Sequence, residues 1–286
     1  MRLPVGVFDS GLGGLSVAAR ILTTLPKERI VYFADNAHVP YGERPLEDIQ
    51  EFALGITGFL ISKGAKAVVM ACNMSSAVAL DIARESYPDL PILGMIEPGA
   101  KAAVAVSDGA PVGVLATSGT VKSGAYQKFI ADLNPHLHVV QQACPRFVPL
   151  VESGKSESEE AEAAAHDYVS ALLREGCKTI ILGCTHYPFL RRAIESAAGP
   201  GITIVDPAEE LALALQNILT ERSIASDKLT APHEFYTSGD TDDFATFGGA
   251  FLGRRIDTVE KATWGVDLGK RLASAVTTND VNGDIN

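Results

Sequence analysis

Two stretches decide the fold: Ala67-Val68-Val69-Met70-Ala71-Cys72-Asn73 and Thr179-Ile180-Ile181-Leu182-Gly183-Cys184-Thr185. Each is a short, continuous apolar run that ends on a cysteine and a small polar residue. A run without alternation marks a strand buried on both faces, as in a parallel sheet covered by helices. Two further pairs accompany them. Pro4-Val5-Gly6-Val7-Phe8-Asp9-Ser10-Gly11 matches Pro111-Val112-Gly113-Val114-Leu115-Ala116-Thr117-Ser118-Gly119, and Leu93-Gly94-Met95-Ile96-Glu97-Pro98 matches Ile202-Thr203-Ile204-Val205-Asp206-Pro207. Any two parallel strands look alike, so one pair would carry little. Three pairs in the same order, offset by about 110 residues, exceed any solenoid period and indicate duplicated domains.

Strand-like runs fall at 4–8, 29–33, 67–71, 92–95, 112–115, 137–141, 179–182 and 202–205, with helical stretches at 46–62, 77–86, 124–133, 159–174 and 209–222. The expected fold class is α/β: two pseudo-symmetric α/β domains with parallel sheets, and an active site in the cleft between them. The expected first domain is 1–98 plus 210–264, and the second is 99–209. Glu97-Pro98 and Asp206-Pro207 mark the crossings, because proline discourages continuation of the strand before it. Residues 265–286 form a C-terminal extension, loose over its polar end from Thr277 to Asn286. Ser156-x-x-Glu159 reads as a capping box, and Gly176 closes the helix it opens.

The chain has 286 residues, which at about 150 per domain suggests two domains. It is 47% apolar and 21% charged, an ordinary globular balance. A net charge of −11 with no basic run argues against nucleic-acid binding, which draws its affinity from clustered Lys and Arg. No apolar run approaches the roughly 18 residues of a membrane span. The N-terminal run is too short for a signal-peptide core, so a cytoplasmic protein is expected. Four cysteines, Cys72, Cys144, Cys177 and Cys184, are too few for a disulfide scaffold and match no zinc spacing. No metal is expected, and any cysteine that matters is a free thiol.

In open α/β sheets, ligands bind at the carboxyl ends of strands. Cys72 and Cys184 occupy equivalent strand ends, so two facing halves would aim both thiols at one ligand. A buried cysteine most often serves packing alone, and Cys144 and Cys177 are read that way. Acid–base groups on opposite faces of one carbon are what stereochemical inversion requires. A thiol, with an ordinary pKa of about 8.5, can serve as either base or acid near neutrality. No lysine sits at a strand end beside a phosphate-cradling loop, so nothing suggests a pyridoxal site. The loop Asp9-Ser10-Gly11-Leu12-Gly13-Gly14 lacks dinucleotide-binding spacing but can present backbone donors to a carboxylate. Thr117, Ser118 and Thr120 offer hydroxyls after a strand of the other half, for ligand contact or for helix capping.

Several of these blocks resemble the motifs of glutamate racemases. They are Val7-Phe8-Asp9-Ser10-Gly11-Leu12-Gly13-Gly14, Pro40-Tyr41-Gly42, Ala71-Cys72-Asn73, Gly119-Thr120-Val121-Lys122-Ser123-Gly124-Ala125-Tyr126, Phe147-Val148-Pro149-Leu150-Val151-Glu152 and Gly183-Cys184-Thr185-His186-Tyr187-Pro188. The resemblance implies a cofactor-independent racemase with two similar α/β domains, acting on glutamate as its small-molecule substrate and supplying D-glutamate for peptidoglycan. It implies that Cys72 takes the proton from D-glutamate and Cys184 from L-glutamate, with Asp9, Glu152 and His186 as auxiliary acid–base residues. Substrate contacts are implied at Asp9, Ser10, Tyr41, Gly42, Asn73, Met74, Thr117, Thr120, Thr185 and His186. A homodimer is expected. Position 74, usually threonine in the family, is Met74, so a contact through its backbone amide survives while a hydroxyl contact is lost or passes to Ser75.

Three other readings stand beside this one. A racemase for aspartate or another amino acid could share the fold, although His186 favours glutamate because aspartate-specific relatives tend to carry an acidic residue there. A carboxylate-binding module with two lobes would have no use for paired strand-end thiols. A regulatory contact, such as the gyrase inhibition some family members show, would leave no mark in this sequence.

Overall fold

A computed structural model describes residues 3–264. The strands are β1 (Val5–Asp9), β2 (Ile30–Ala34), β3 (Ala67–Met70), β4 (Ile92–Gly94), β5 (Val112–Ala116), β6 (Val139–Ala143), β7 (Thr179–Gly183), β8 (Thr203–Val205), β9 (Glu234–Thr237) and β10 (Glu260–Lys261). They form two wholly parallel sheets, ordered β10-β9-β2-β1-β3-β4 and β6-β5-β7-β8. The order β2-β1-β3-β4 recurs as β6-β5-β7-β8, so the sequence repeat is a repeat of topology. β1, β3, β5 and β7 are buried along their whole length, as continuous apolar runs between two helical layers must be.

The register brings the informative residues together. Asp9 pairs with Ala34 and Phe8 with Met70, so the loops after β1, β2 and β3 leave the sheet side by side. In the second sheet, Ala116 pairs with both Ala143 and Gly183. The eight expected strands are present within a few residues. β9 and β10 were not expected, because four half-polar residues and two exposed ones carry no apolar run.

Helices Leu46–Ser62 and Glu159–Arg174 have the expected bounds. The second is capped by Ser158 rather than Ser156: the Ser158 hydroxyl accepts from the Ala161 N–H at 3.2 Å. Three glutamates in its first turn complement the helix dipole, and Gly176 (φ 78) follows its end as expected. The helix expected at 77–86 begins earlier, as Asn73–Ser86, with Cys72 as its N-cap residue. Its polar first turn reads as loop in the sequence.

Pro98 lies in the first turn of helix Ile96–Val106, and Pro207 opens helix Pro207–Glu221. Each proline ends a strand by starting a helix, where its missing N–H costs nothing. These two helices pack on each other where the chain passes between the sheets. The approach is close enough that a Cβ on Gly99 would come within 2.8 Å of Pro207 Cγ. Away from the strand carboxyl ends, Lys66 Nζ sits 2.7 Å from Glu28 Oε2, both side chains buried. Lys66 also donates to the Ile224 carbonyl, and the Ser226 N–H to Glu28, which ties the chain after helix Pro207–Glu221 to the first sheet. The expected C-terminal extension, 265–286, lies outside the described residues.

Candidate active site

Residues following β1, β3, β5 and β7 line one cavity of about 410 Å³. From the first sheet come Ser10 after β1, and Cys72, Asn73 and Met74 after β3. A 3-10 turn, Tyr41–Glu43, adds Tyr41 and Gly42. From the second sheet come Thr117 and Thr120 after β5, and Cys184, Thr185 and His186 after β7. Glu152 joins them from the end of helix Phe147–Glu152. Of the catalytic and substrate-contact residues expected from the sequence, only Asp9 does not line the cavity. It lies behind Ser10 and is 1% exposed.

The two thiols are chemically unlike. Burial pushes Cys72 up to about 11, with the Asp9 charge adding to the effect. The Ser75 N–H and hydroxyl and the Ser10 hydroxyl donate toward the sulfur and pull the other way. Ser75 Oγ is buried without a hydrogen-bond partner, so its proton is free to turn toward the sulfur. Ser75 does not line the cavity, so it does not replace a hydroxyl lost at Met74. The Met74 sulfur instead packs toward Gly119 of the opposite wall.

Beside Cys184 stands a relay. His186 Nδ1 lies 3.8 Å from Cys184 Sγ, and Nε2 lies 3.2 Å from Glu152 Oε1. Burial alone would lower the His186 pKa, but its hydrogen bonds to Cys184 and Glu152 and the nearby charges raise it to about 10. His186 is therefore a charged donor at neutral pH. The Glu152 side chain is half exposed and connects the relay to solvent.

Asp9 is held from below by its own glycine loop. Its Oδ2 accepts from the N–H groups of Gly11 (3.1 Å) and Gly14 (3.0 Å), while Oδ1 is buried without a partner. Burial raises its pKa against the lowering pull of His186 and these backbone donors. The glycines are required by space. A Cβ on Gly14 would come within 2.7 Å of Tyr32 Oη. One on Gly13 would lie 2.5 Å from His186 Cε1, and closer still to Nδ1 and Thr185 Oγ1. Here the loop after β1 touches the loop after β7, and the Ser16 hydroxyl donates to the Thr185 carbonyl at 2.9 Å. The walls also meet at Gly42 and Gly119, where a Cβ on Gly119 would approach Gly42 Cα to 2.8 Å.

Donors for a carboxylate are plentiful. Asn73 Oδ1 accepts from the Tyr126 hydroxyl at 2.8 Å, which leaves Asn73 Nδ2 buried and unpartnered. Thr117 caps the helix Ser118–Ser123 and lies 3.1 Å, oxygen to oxygen, from Thr120. Cys144, read as a packing residue, borders the cavity, but its thiol donates to the Gln142 carbonyl and burial pushes it far up. Cys177 is buried elsewhere, in the core of the second sheet.

Sequence reading missed the parts played by Tyr126 and Asp35, and it took Ser75 for a substitute hydroxyl rather than a neighbour of the Cys72 sulfur. The partners of Tyr126 and Asp35 lie on other elements, whereas Ser75 stands three residues after Cys72 at the start of the same helix. Asp35, at the end of β2, is fully buried. Its Oδ2 accepts from the Tyr41 hydroxyl at 2.6 Å. Its Oδ1 is met by His38 Nδ1 (2.8 Å), Ser238 Oγ (2.7 Å) and Trp264 Nε1 (3.2 Å).

Two parallel sheets of matching strand order, with a thiol after the third strand of each and one cavity lined by both, define a class. The chain belongs to the Asp/Glu/hydantoin racemase family, whose model matches residues 5–215. Within it the chain is similar to glutamate racemases, as its motifs suggested. It is 44% identical to that of Desulforudis audaxviator over 262 residues, covering 89% of this chain and 96% of that one. Among solved structures, Bacillus anthracis glutamate racemase isoform RacE1 superposes with a TM-score of 0.87 at 37% identity, over 91% of this chain and 97% of that one. Francisella tularensis glutamate racemase, in complex with D-glutamate, gives 0.85 at 32% identity, over 93% and 98%.

Proposed function

We propose that this protein interconverts L- and D-glutamate by a two-thiol, two-base mechanism that needs no cofactor. The observation that carries the reading is the pairing of Cys72 and Cys184 at equivalent strand ends on one cavity, in a chain similar over nearly its whole length to glutamate racemases. One thiolate takes the Cα proton. The electron pair left behind spreads into the carboxylate, held by fixed donors. The opposite thiol gives its proton to the far face of Cα, and each sulfur ends in the protonation state the other began with. The helix starts at Asn73 and Ser118, the free Asn73 Nδ2 and the threonine hydroxyls suit the substrate's carboxylates.

The surroundings of the two thiols are unequal. Burial keeps Cys72 protonated, while charged His186 offers a donor to the Cys184 sulfur. With L-glutamate bound, Cys72 is the acid and Cys184 the opposing base. Asp9, His186 and Glu152 assist as auxiliary acid–base groups. We further propose two domains, 1–98 with 210–264 and 99–209, a homodimer, and a cytoplasmic enzyme making D-glutamate for the cell wall. No helix among the described residues is long and apolar enough to cross a membrane.

The test is L-glutamate in D₂O with no pyridoxal phosphate or metal added. Optical rotation should decay to zero, with deuterium appearing at Cα of the D-isomer. Activity that needs added pyridoxal phosphate, or that a chelator removes, would refute the reading.

A further inference from the structure

The four donors on Asp35 all have a use other than chemistry. A fully buried carboxylate needs hydrogen bonds to offset its lost hydration. Asp35 receives one from Tyr41 on Oδ2, and three, from His38, Ser238 and Trp264, on Oδ1. Asp9 keeps an unpartnered oxygen, whereas each Asp35 oxygen is engaged. Asp35 is thus poorly placed to move a proton and well placed to hold a shape.

That shape is the cavity wall. Because the Tyr41 hydroxyl donates to Asp35, its proton is not available to a substrate. What the 3-10 turn Tyr41–Glu43 presents to the cavity is its ring and its backbone, with Gly42 against Gly119 of the opposite wall. Two of the other donors come from far along the chain. Ser238 follows β9, and its hydroxyl also accepts from the Ala37 N–H at 3.0 Å. Trp264 follows β10 and packs at a tilt against His38 and Phe52, the latter also packed on Tyr41. A Cβ on Gly55 would lie 2.5 Å from Trp264 Cε3, so the indole is wedged against helix Leu46–Ser62.

We infer that Asp35 is a positioning residue, which fixes the cavity wall formed by Tyr41 and Gly42 and makes that wall depend on Ser238 and Trp264. The inference rests on the racemase reading and adds to it a route by which the C-terminal strands support substrate binding. Asp35 touches neither thiol, so its loss should act on binding rather than on proton transfer.

The test compares the full chain with Asp35→Asn, Tyr41→Phe, Ser238→Ala and the pairwise combinations with Tyr41→Phe, using both glutamate isomers. Asp35→Asn and Tyr41→Phe should each raise KM about tenfold for both isomers, the size of one hydrogen bond to a charged acceptor. The kcat values should stay within about threefold, and the Asp35→Asn/Tyr41→Phe double variant should be no worse than Asp35→Asn alone. Trp264 is the single tryptophan of the chain, so its fluorescence reports on the same node. Saturating glutamate should change that emission in the parent protein and fail to do so in Tyr41→Phe. Should Asp35→Asn not fold, Ser238→Ala must raise KM non-additively with Tyr41→Phe. Multiplicative effects, a fall confined to kcat, or a glutamate response that survives in Tyr41→Phe would overturn the inference. A parent protein without racemase activity would instead overturn the function on which it rests.

Discussion

Gly13→Ala tests the contact between the two walls at the relay itself. Gly13 does not occupy the left-handed region, so alanine is acceptable to the backbone and only space decides the outcome. The added methyl would sit 2.5 Å from His186 Cε1. Ordinary carbon contacts start near 3.5 Å, so the ring must retreat by about 1 Å. Nε2 is already 3.2 Å from Glu152 and Nδ1 is 3.8 Å from Cys184, so a further ångström breaks at least one link of the relay. A misplacement of that size costs about 10²-fold in rate, or about 2.7 kcal/mol of barrier. The assay is circular dichroism of the reaction from each isomer. Because L and D are equal in free energy, kcat/KM must fall by the same factor in both directions, and a mismatch would expose an artefact. Overpacking should also cost about 1–3 kcal/mol of stability, so a melting curve must establish that the variant is folded. A folded Gly13→Ala protein with kcat/KM within threefold of the parent would refute the reasoning.

Replacing either Cys72 or Cys184 with serine should abolish racemisation, because inversion needs a base and an acid. With a glutamate analogue carrying a leaving group at Cβ, Cys72→Ser should process only the L-isomer and Cys184→Ser only the D-isomer; a shared preference would point to a single base. His186 binds its proton more tightly folded than unfolded, so its contribution to stability is complete below about 6.5 and lost as pH rises through about 10. The Tm gap between the protein and His186→Asn should therefore narrow over that window, and a widening gap would contradict the relay. Ser75→Ala removes a donor to the Cys72 sulfur and should push that thiol higher still. The D-to-L kcat at neutral pH should drop roughly two- to tenfold and recover as pH rises; an unchanged pH profile would count against the contact. Lys66→Met strands the buried Glu28 carboxylate and should cost about 3–5 kcal/mol in denaturant unfolding while leaving KM and kcat alone. A loss under about 1 kcal/mol would show that the pair is replaceable.

The sheets were legible because β1, β3, β5 and β7 must be apolar on both faces, and that demand leaves unbroken runs. β9 and β10 lie at the opposite end of the first sheet from β4 and are short and partly polar, so the same demand never reached them. Among site residues, Cys72 and Cys184 announced themselves through the repeat. Asp9, Glu152 and His186 were named by resemblance, and their geometry could not be read beforehand. The contact of Asn73 with Tyr126 spans 53 positions, and that of Asp35 with Trp264 spans 229. Such bonds leave no periodicity for a sequence to display. The capping serine was misplaced by two positions, because Ser156 and Ser158 both precede a glutamate-rich turn and only the fold selects between them.

The duplicated strand order has a consequence for handedness. A chain of L-residues cannot build a site that is its own mirror image, yet the product here mirrors the substrate. Two copies of one strand order, each presenting a sulfur at the same strand end, offer the nearest available substitute. Exchanging the copies exchanges the two faces of a flat carbon. The copies have since diverged around those sulfurs, with serines and Asp9 on one side and an imidazole linked to Glu152 on the other. Thermodynamics denies that divergence any influence on the final ratio of isomers. What it can set is the protonation form in which the enzyme waits, and hence which isomer meets a ready catalyst and which must first wait for two protons to trade places.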